Sequence, residues 1–216
     1  MVFYEELGKE IPKGWEVKPI KELCKSISNG GTPRRMESAF WNGNINWYKT
    51  GELFDNPLLE SEEKITEKGL NNSVCKLWDE NTILVALYAS PTVGRFGILK
   101  TKATSNQACS GLIAKDEIGY PFLFYTLLSK RGYFNNLAVG AAQQNINAEI
   151  VKETKVIKPG SKLLDRFNLL TFNVFDKRTQ LLKEVYILSQ IRDSLLPKLM
   201  SGKIRVLNNQ KIKEAV

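Results

Sequence analysis

The sequence predicts an α+β chain in two parts: a globular domain with a mixed sheet and short helices, then a long C-terminal helix of coiled-coil type. Three observations predict it. Residues 12–159 are rich in Gly, Asn, Pro and aromatics, with short apolar runs between turn signals. Pro159 and Gly160 punctuate the chain, and Ser161 is placed to cap a helix beginning there. From Lys162 to about Leu196 there is neither Pro nor Gly, and apolar residues return every three or four positions.

Each element has its own local signal. Lys18–Cys24 and Pro121–Leu128 read as helices, the second with proline at its start. Thr82–Ala89, Gly97–Lys100, Leu112–Ala114 and Thr154–Ile157 read as strands. The pairs Asn29–Gly30 and Asn42–Gly43 mark turns. Asn147 caps a short helix running towards Thr154. In the long helix the seam runs Phe167, Thr171, Val174, Arg178, Leu181, Val185, Leu188, Arg192, Leu195 and Leu199, with Thr171, Arg178 and Arg192 as its polar exceptions. At ~1.5 Å per residue this helix spans roughly 50 Å. Its apolar stripe needs a partner helix, and the chain offers no second long one. The alternative is a helix folded back over its own domain. Leu196–Pro197 is expected to end it, with Gly202 breaking the segment Lys198–Val206. The divisions expected are 1–159, 160–206 and a polar tail at 207–216.

Composition excludes several function classes. Apolar residues at 43% and charged residues at 25% suit a globular fold, not a disordered one. The apolar runs Ile83–Ala89 and Tyr120–Leu128 are too short to span a bilayer, so no membrane association is expected. Met1–Glu10 holds three glutamates and no apolar stretch of the secretory type. Three widely spaced cysteines, Cys24, Cys75 and Cys109, fit a reducing cytoplasm. With no histidine at all, Ser–His and Cys–His nucleophiles and most zinc sites are absent. Gly94–Thr101 lacks the spacing of a phosphate loop, and no dinucleotide fingerprint comes after a strand. Glu60, Glu62 and Glu63 read as a solvated face. No metal site and no catalytic residue is expected. The net charge of +8 favours a polyanionic partner, because Lys and Arg displace the counterions condensed on phosphates.

Six motifs in order resemble the specificity subunits of type I restriction–modification systems. They are Ile11-Pro12-Lys13-Gly14-Trp15-Glu16; Asn29-Gly30-Gly31-Thr32-Pro33 with Gly43-Asn44-Ile45-Asn46-Trp47; Ile65-Thr66-Glu67-Lys68-Gly69-Leu70; Ser105-Asn106-Gln107-Ala108-Cys109; Gly140-Ala141-Ala142-Gln143-Gln144-Asn145-Ile146; and Ile191 through Ile204. The resemblance covers nearly the whole chain. It departs from the family at Pro159-Gly160-Ser161-Lys162, which is plainer than the usual step into the helix. A full subunit carries two recognition domains and two helical segments, and this sequence has one of each, so it resembles a half-subunit or an excised half.

The resemblance implies a non-catalytic, cytoplasmic subunit that reads double-stranded DNA from loops in the major groove. Its long helix would pair, fix the distance between two domains and bind methyltransferase subunits. Adenine methylation with S-adenosylmethionine would belong to those subunits, and this chain would bind no cofactor itself. Whether restriction subunits join stays open. Two identical chains paired by their helices would be related by a two-fold axis. They would read one sequence twice, as an interrupted palindrome. The dimerising residues would be Phe167, Val174, Leu181, Val185, Leu188 and Leu195. A rival reading is a coiled-coil assembly or scaffold protein that makes no DNA contact.

Base edges are read by amides, guanidinium groups and small hydroxyls, and phosphates are held by Lys, Arg and hydroxyls. That chemistry selects Thr32, Arg34 and Arg35 after Gly31; Lys49 beside a core Trp47; Ser90, Thr92 and Arg95 on a strand-end loop; and Gln143, Gln144 and Asn145. Each has a plain alternative as a solvated or loop-filling residue. Asn106 and Gln107 read as structural amides.

Overall fold

A computed structural model describes residues 1–5, 8–88, 92–139 and 145–205. The chain falls into two units, Met1–Phe175 and Asp176–Val216.

The first unit is built on a five-stranded sheet: β4 (Cys24–Asn29), β6 (Asn56–Leu58), β8 (Ile83–Ala86), β9 (Phe96–Leu99) and β11 (Cys109–Ala114), in the order β4-β11-β8-β9-β6. All pairs are antiparallel except β6 with β9. Along β8 the side chains alternate between two cores. Ile83 and Val85 face one with Phe96, Ile98 and Leu112, while Leu84 and Ala86 face the other with Tyr48, Trp78 and Cys109. A strand buried on both faces reads as a continuous apolar run, which is why Ile83–Ala86 is legible in the sequence.

A second sheet joins β5 (Trp41–Tyr48), β7 (Glu63–Ile65) and β10 (Ala103–Ser105) in the order β10-β5-β7. The Asn42–Gly43 pair is not the turn its sequence suggests. It lies inside β5 as a bulge: Asn42 has φ 60, and the register against β7 shifts between Trp41 and Ile45. Two short ribbons complete the β structure. One pairs β1 (Val2–Tyr4) with β2 (Lys9–Ile11), the other β3 (Glu16–Pro19) with β12 (Lys155–Lys158).

The short helices are α1 (Ile20–Leu23), α2 (Glu67–Asn71), α3 (Tyr120–Ser129), α4 (Arg131–Val139) and α5 (Ala148–Glu153). α3 and α5 occur where the sequence places them. Pro121 sits in the first turn of α3, and the Asn147 side chain caps α5 by accepting the Ile150 N–H at 2.8 Å. The helix expected over Lys18–Cys24 shrinks to one turn, because Lys18 and Pro19 pair with β12 and Cys24 opens β4.

The long helix, α6, runs Ser161–Met200. Its first four or so turns, to Phe175, belong to the first unit. Leu164 and Phe175 are 1% exposed, and Phe175 packs edge-on to Phe124. Buried Asn168 caps α3 from outside. Its Nδ2 donates to the Ile118 carbonyl at 2.7 Å, and its Oδ1 accepts the Phe122 N–H at 3.3 Å. Gly119 leaves the room this needs: it sits at φ +74, and a Cβ there would lie 2.6 Å from the Asn168 amide. The compact unit therefore extends past the expected boundary at 159 by those turns of helix.

In the second unit the described residues continue α6 and end in a turn. Pro197 lies inside the helix and does not end it. It lacks an N–H to donate backwards, but its carbonyl accepts the Ser201 N–H at 3.0 Å, and the helix stops where Gly202 adopts φ +71. Leu181, Val185, Leu188 and Leu195 are 47%, 58%, 63% and 40% exposed.

Candidate nucleic-acid interface

Strand directions collect loops along one end of the five-stranded sheet. The C-terminal ends of β4 and β8 and the N-terminal ends of β11, β9 and β6 share that end. The segments after Asn29, before Cys109, directly after Ala86, directly before Phe96 and before Asn56 therefore stand side by side. The second sheet joins them. Ser105 at the end of β10 is paired in register with Tyr48, and the Asn106 N–H donates to the Tyr48 carbonyl at 2.9 Å. The segment ahead of α5 arrives at the same end, where the Ile146 N–H donates to the Leu87 carbonyl at 3.0 Å. Thus Thr32, Arg34, Arg35, Lys49, Thr92, Arg95 and Asn145, scattered in sequence, belong to segments gathered on one edge. Ser90, Gln143 and Gln144 lie outside the described residues.

The Gly30–Gly31 step is held by backbone, not by a turn. Gly30 N–H donates to the Cys109 carbonyl and Gly31 N–H to the Ser105 carbonyl. The Gly31 carbonyl accepts the Trp47 indole N–H at 2.9 Å and the Cys75 thiol at 3.0 Å. A Cβ at Gly31 would lie 2.8 Å from the Cys75 backbone, so close approach, not unusual φ, demands glycine. Trp47 is 1% exposed and is a core residue, as its sequence setting suggests.

The basic candidates separate into two kinds. Arg35 forks onto Glu63 at 2.5 and 3.2 Å, and its guanidinium stacks on Trp41 and Trp47 with its carbon 4.0 and 4.6 Å from the ring centroids. Lys49 binds Glu62 at 2.9 Å and Glu63 at 3.3 Å. The Arg35 hydrogen bond holds the Glu63 carboxyl below its ordinary range, while burial pushes neighbouring Glu52 up. The charges of Arg35 and Lys49 are thus compensated within the chain. Glu62 and Glu63, expected to be merely solvated, are their partners. Arg34 and Arg95 have no carboxylate partner among the described residues. Arg34 is exposed, and its carbonyl accepts the Trp41 indole N–H. Arg95 lies over the exposed ring of Phe54 at 5.4 Å.

Thr32 donates its hydroxyl to the Gln107 side-chain oxygen at 2.6 Å. Gln107 is exposed in the middle of the edge and joins the candidate contacts, which its sequence setting alone did not suggest. Its neighbour Asn106 accepts the Ala108 N–H and behaves as the structural amide expected. The Thr92 hydroxyl donates to the Tyr88 carbonyl at 3.0 Å. Asn145 is half-buried. Cys24 and Cys109 are buried thiols pushed up to about 12, which makes them poor nucleophiles.

The first unit is thus a mixed-sheet domain with amides, hydroxyls and arginines on one loop-bearing edge, and a long helix with exposed apolar residues follows it. Residues 12–186 match the family described as the type I restriction modification DNA specificity domain, and the chain belongs to that family. It is 29% identical over 209 residues to the type I restriction enzyme MjaIX specificity subunit of Methanocaldococcus jannaschii, covering 95% of this chain and 48% of that one. It is 27% identical to the HindI specificity subunit of Haemophilus influenzae, covering 90% and 42%. The crystal structure of the S subunit of a type I restriction–modification system from M. genitalium has the same fold, with a TM-score of 0.65 at 16% identity, covering 91% of this chain and 47% of that one. The chain spans about half the length of the relatives it matches.

Proposed function

We propose that this chain is the DNA-reading component of a type I restriction–modification complex. The observation that carries this reading is the loop-bearing edge along which Arg34 and Arg95, with no carboxylate partner among the described residues, lie with Thr32, Thr92 and Gln107. These are the groups that read base edges and hold phosphates. On this reading the chain is cytoplasmic and performs no catalysis. Methyltransferase subunits carry S-adenosylmethionine and transfer the methyl group, and restriction subunits join where cleavage occurs.

Two copies pair through α6 in this reading, along Val174, Leu181, Val185, Leu188 and Leu195. Support comes from the exposure of these apolar side chains, a stripe that the same stripe of a second copy would cover. Phe167, also placed on this seam by the sequence, packs edge-on to Phe122 and Tyr125 within its own domain. Its contribution to pairing is correspondingly smaller. The target would be one half-site repeated as an interrupted palindrome.

The test is duplex binding by the full chain across a salt series. Binding should weaken steeply with salt, and Arg34→Glu with Arg95→Glu should lower affinity and flatten the salt dependence. A coiled-coil scaffold would lose nothing from those changes, and that result would overturn the reading. Light scattering at two concentrations tests the pairing: a dimer supports it and a strict monomer sinks it.

A further inference from the structure

Arg95 carries a guanidinium with no carboxylate partner among the described residues, yet its backbone is held from both sides. On one side the Arg131 Nε donates to the Gly94 carbonyl at 2.8 Å. On the other, Asp55 grips Phe96 twice: its side chain accepts the Phe96 N–H at 2.9 Å, and its own N–H donates to the Phe96 carbonyl at 2.7 Å. Arg131 and Asp55 are themselves joined by an ion pair, so one pair closes over the peptides that flank Arg95. The Arg131 guanidinium also lies 5.4 Å from the Phe96 ring centroid.

The backbone here is unusual as well. Asp55 has φ 59, a left-handed conformation at a residue that is not glycine. Gly94 has φ +73, and a Cβ there would come within 3.0 Å of the Asn135 side chain on α4. One ion pair thus holds both Asp55, left-handed without being glycine, and the turn at Gly94, the over-determined setting in which such a backbone outlier persists. Phe54, adjacent to Asp55, supplies the ring beneath the Arg95 guanidinium. The pair is far from Arg95 in sequence: Asp55 precedes β6 and Arg131 opens α4.

We propose that Asp55 and Arg131 are positioning residues that set Arg95 for reading a base. The proposal rests on the DNA-recognition reading of the loop edge. A guanidinium that forks onto guanine needs its backbone fixed before contact, since ordering it on binding reduces the discrimination obtained. Neither Asp55 nor Arg131 touches the DNA. Arg131 organises the turn and Arg95 makes the contact.

The experiment selects duplexes from a randomised library with the full chain as wild type and as Arg95→Ala, Arg131→Gln and Asp55→Asn. Asp55→Asn is the milder change, keeping an acceptor for the Phe96 N–H while removing the charge that holds Arg131, so it serves if Arg131→Gln folds poorly. Amide exchange at Gly94, Arg95 and Phe96 is measured in each. The expected result is that both clamp variants lose preference at the same base positions as Arg95→Ala, on the order of tenfold. Their affinity for random duplex should stay within about twofold of wild type, since no phosphate contact is lost. Exchange at the three amides should quicken. Faster exchange with unchanged base preference, or preference lost at other positions, overturns the proposal and leaves the recognition reading intact. A wild-type chain that selects no sequence overturns the recognition reading and the proposal with it.

Discussion

Within α6, Leu164 and Phe175 are each 1% exposed, whereas Leu181, Val185 and Leu188 further along are 47%, 58% and 63% exposed. Both stretches have the periodicity of an amphipathic helix. The first finds its partners in its own domain, through the Phe124 and Tyr125 rings and the Asn168 cap on α3. The second leaves those three leucine and valine side chains exposed. One uninterrupted periodic pattern thus serves two environments. Helical periodicity specifies a face to be covered without specifying which surface covers it.

The sharpest way to break this contrast is Phe175→Ala. It removes a fully buried ring and should destabilise the first unit by about 3–5 kcal/mol, a fall in Tm of roughly 10 °C. Leu188→Ala should change the melting of the isolated chain by less than about 0.5 kcal/mol, yet weaken self-association measured by light scattering. Equal thermal losses at both positions would erase the distinction. Asn168→Ala comes next. It strands the Ile118 carbonyl and uncaps Phe122, at a cost of about 1–3 kcal/mol in denaturant unfolding.

A second contrast lies at the loop edge, between arginines with a carboxylate partner and arginines with none among the described residues. Arg95→Ala should lower specific duplex affinity by about 1–3 kcal/mol, whereas Arg35→Ala should act mainly on local stability. A larger binding loss at Arg35 would reverse the assignment. A smaller effect than at Arg95 is expected at Glu63. Its folded-state value lies below its unfolded one, so its contribution is present above the ordinary carboxylate range and is lost as pH falls through the folded value. Glu52, raised by burial, acts oppositely and withdraws stability as pH rises. Glu63→Gln should therefore shift the urea midpoint at neutral pH by an amount worth less than about 1 kcal/mol, and not at all once Glu63 is protonated.

Some elements are legible because their signals are local. Pro121, Asn147 and the Pro-free run after Ser161 each act within a turn or two, and α3, α5 and α6 form there. β4 and β5 are harder to read. CKSISN and WNGNINWY lack clean alternation, and they become strands because β11, β7 and β10 pair with them. Pro197 misleads for a related reason: a proline one turn from the end of a helix sacrifices one hydrogen bond without ending the helix. Among the candidate contacts, residue chemistry alone selects Thr32, Arg34 and Arg95, but it selects Arg35 and Lys49 equally well and passes over Gln107.

The sequence by itself determined the α+β class, the long helix, the lack of any histidine-based chemistry, and the ordered motifs that mark the family. These depend on composition and on spacing within a few residues. Only the tertiary structure decided that adjacent Arg34 and Arg35 differ, since the carboxylate that compensates Arg35 lies at Glu63, reached through the pairing of β5 with β7. It also decided that the loops share one edge and that Asp55 and Arg131 meet beside Arg95. Electrostatic partners and close approaches arise between residues distant in the chain, and strand order brings them together where sequence spacing gives no sign of it.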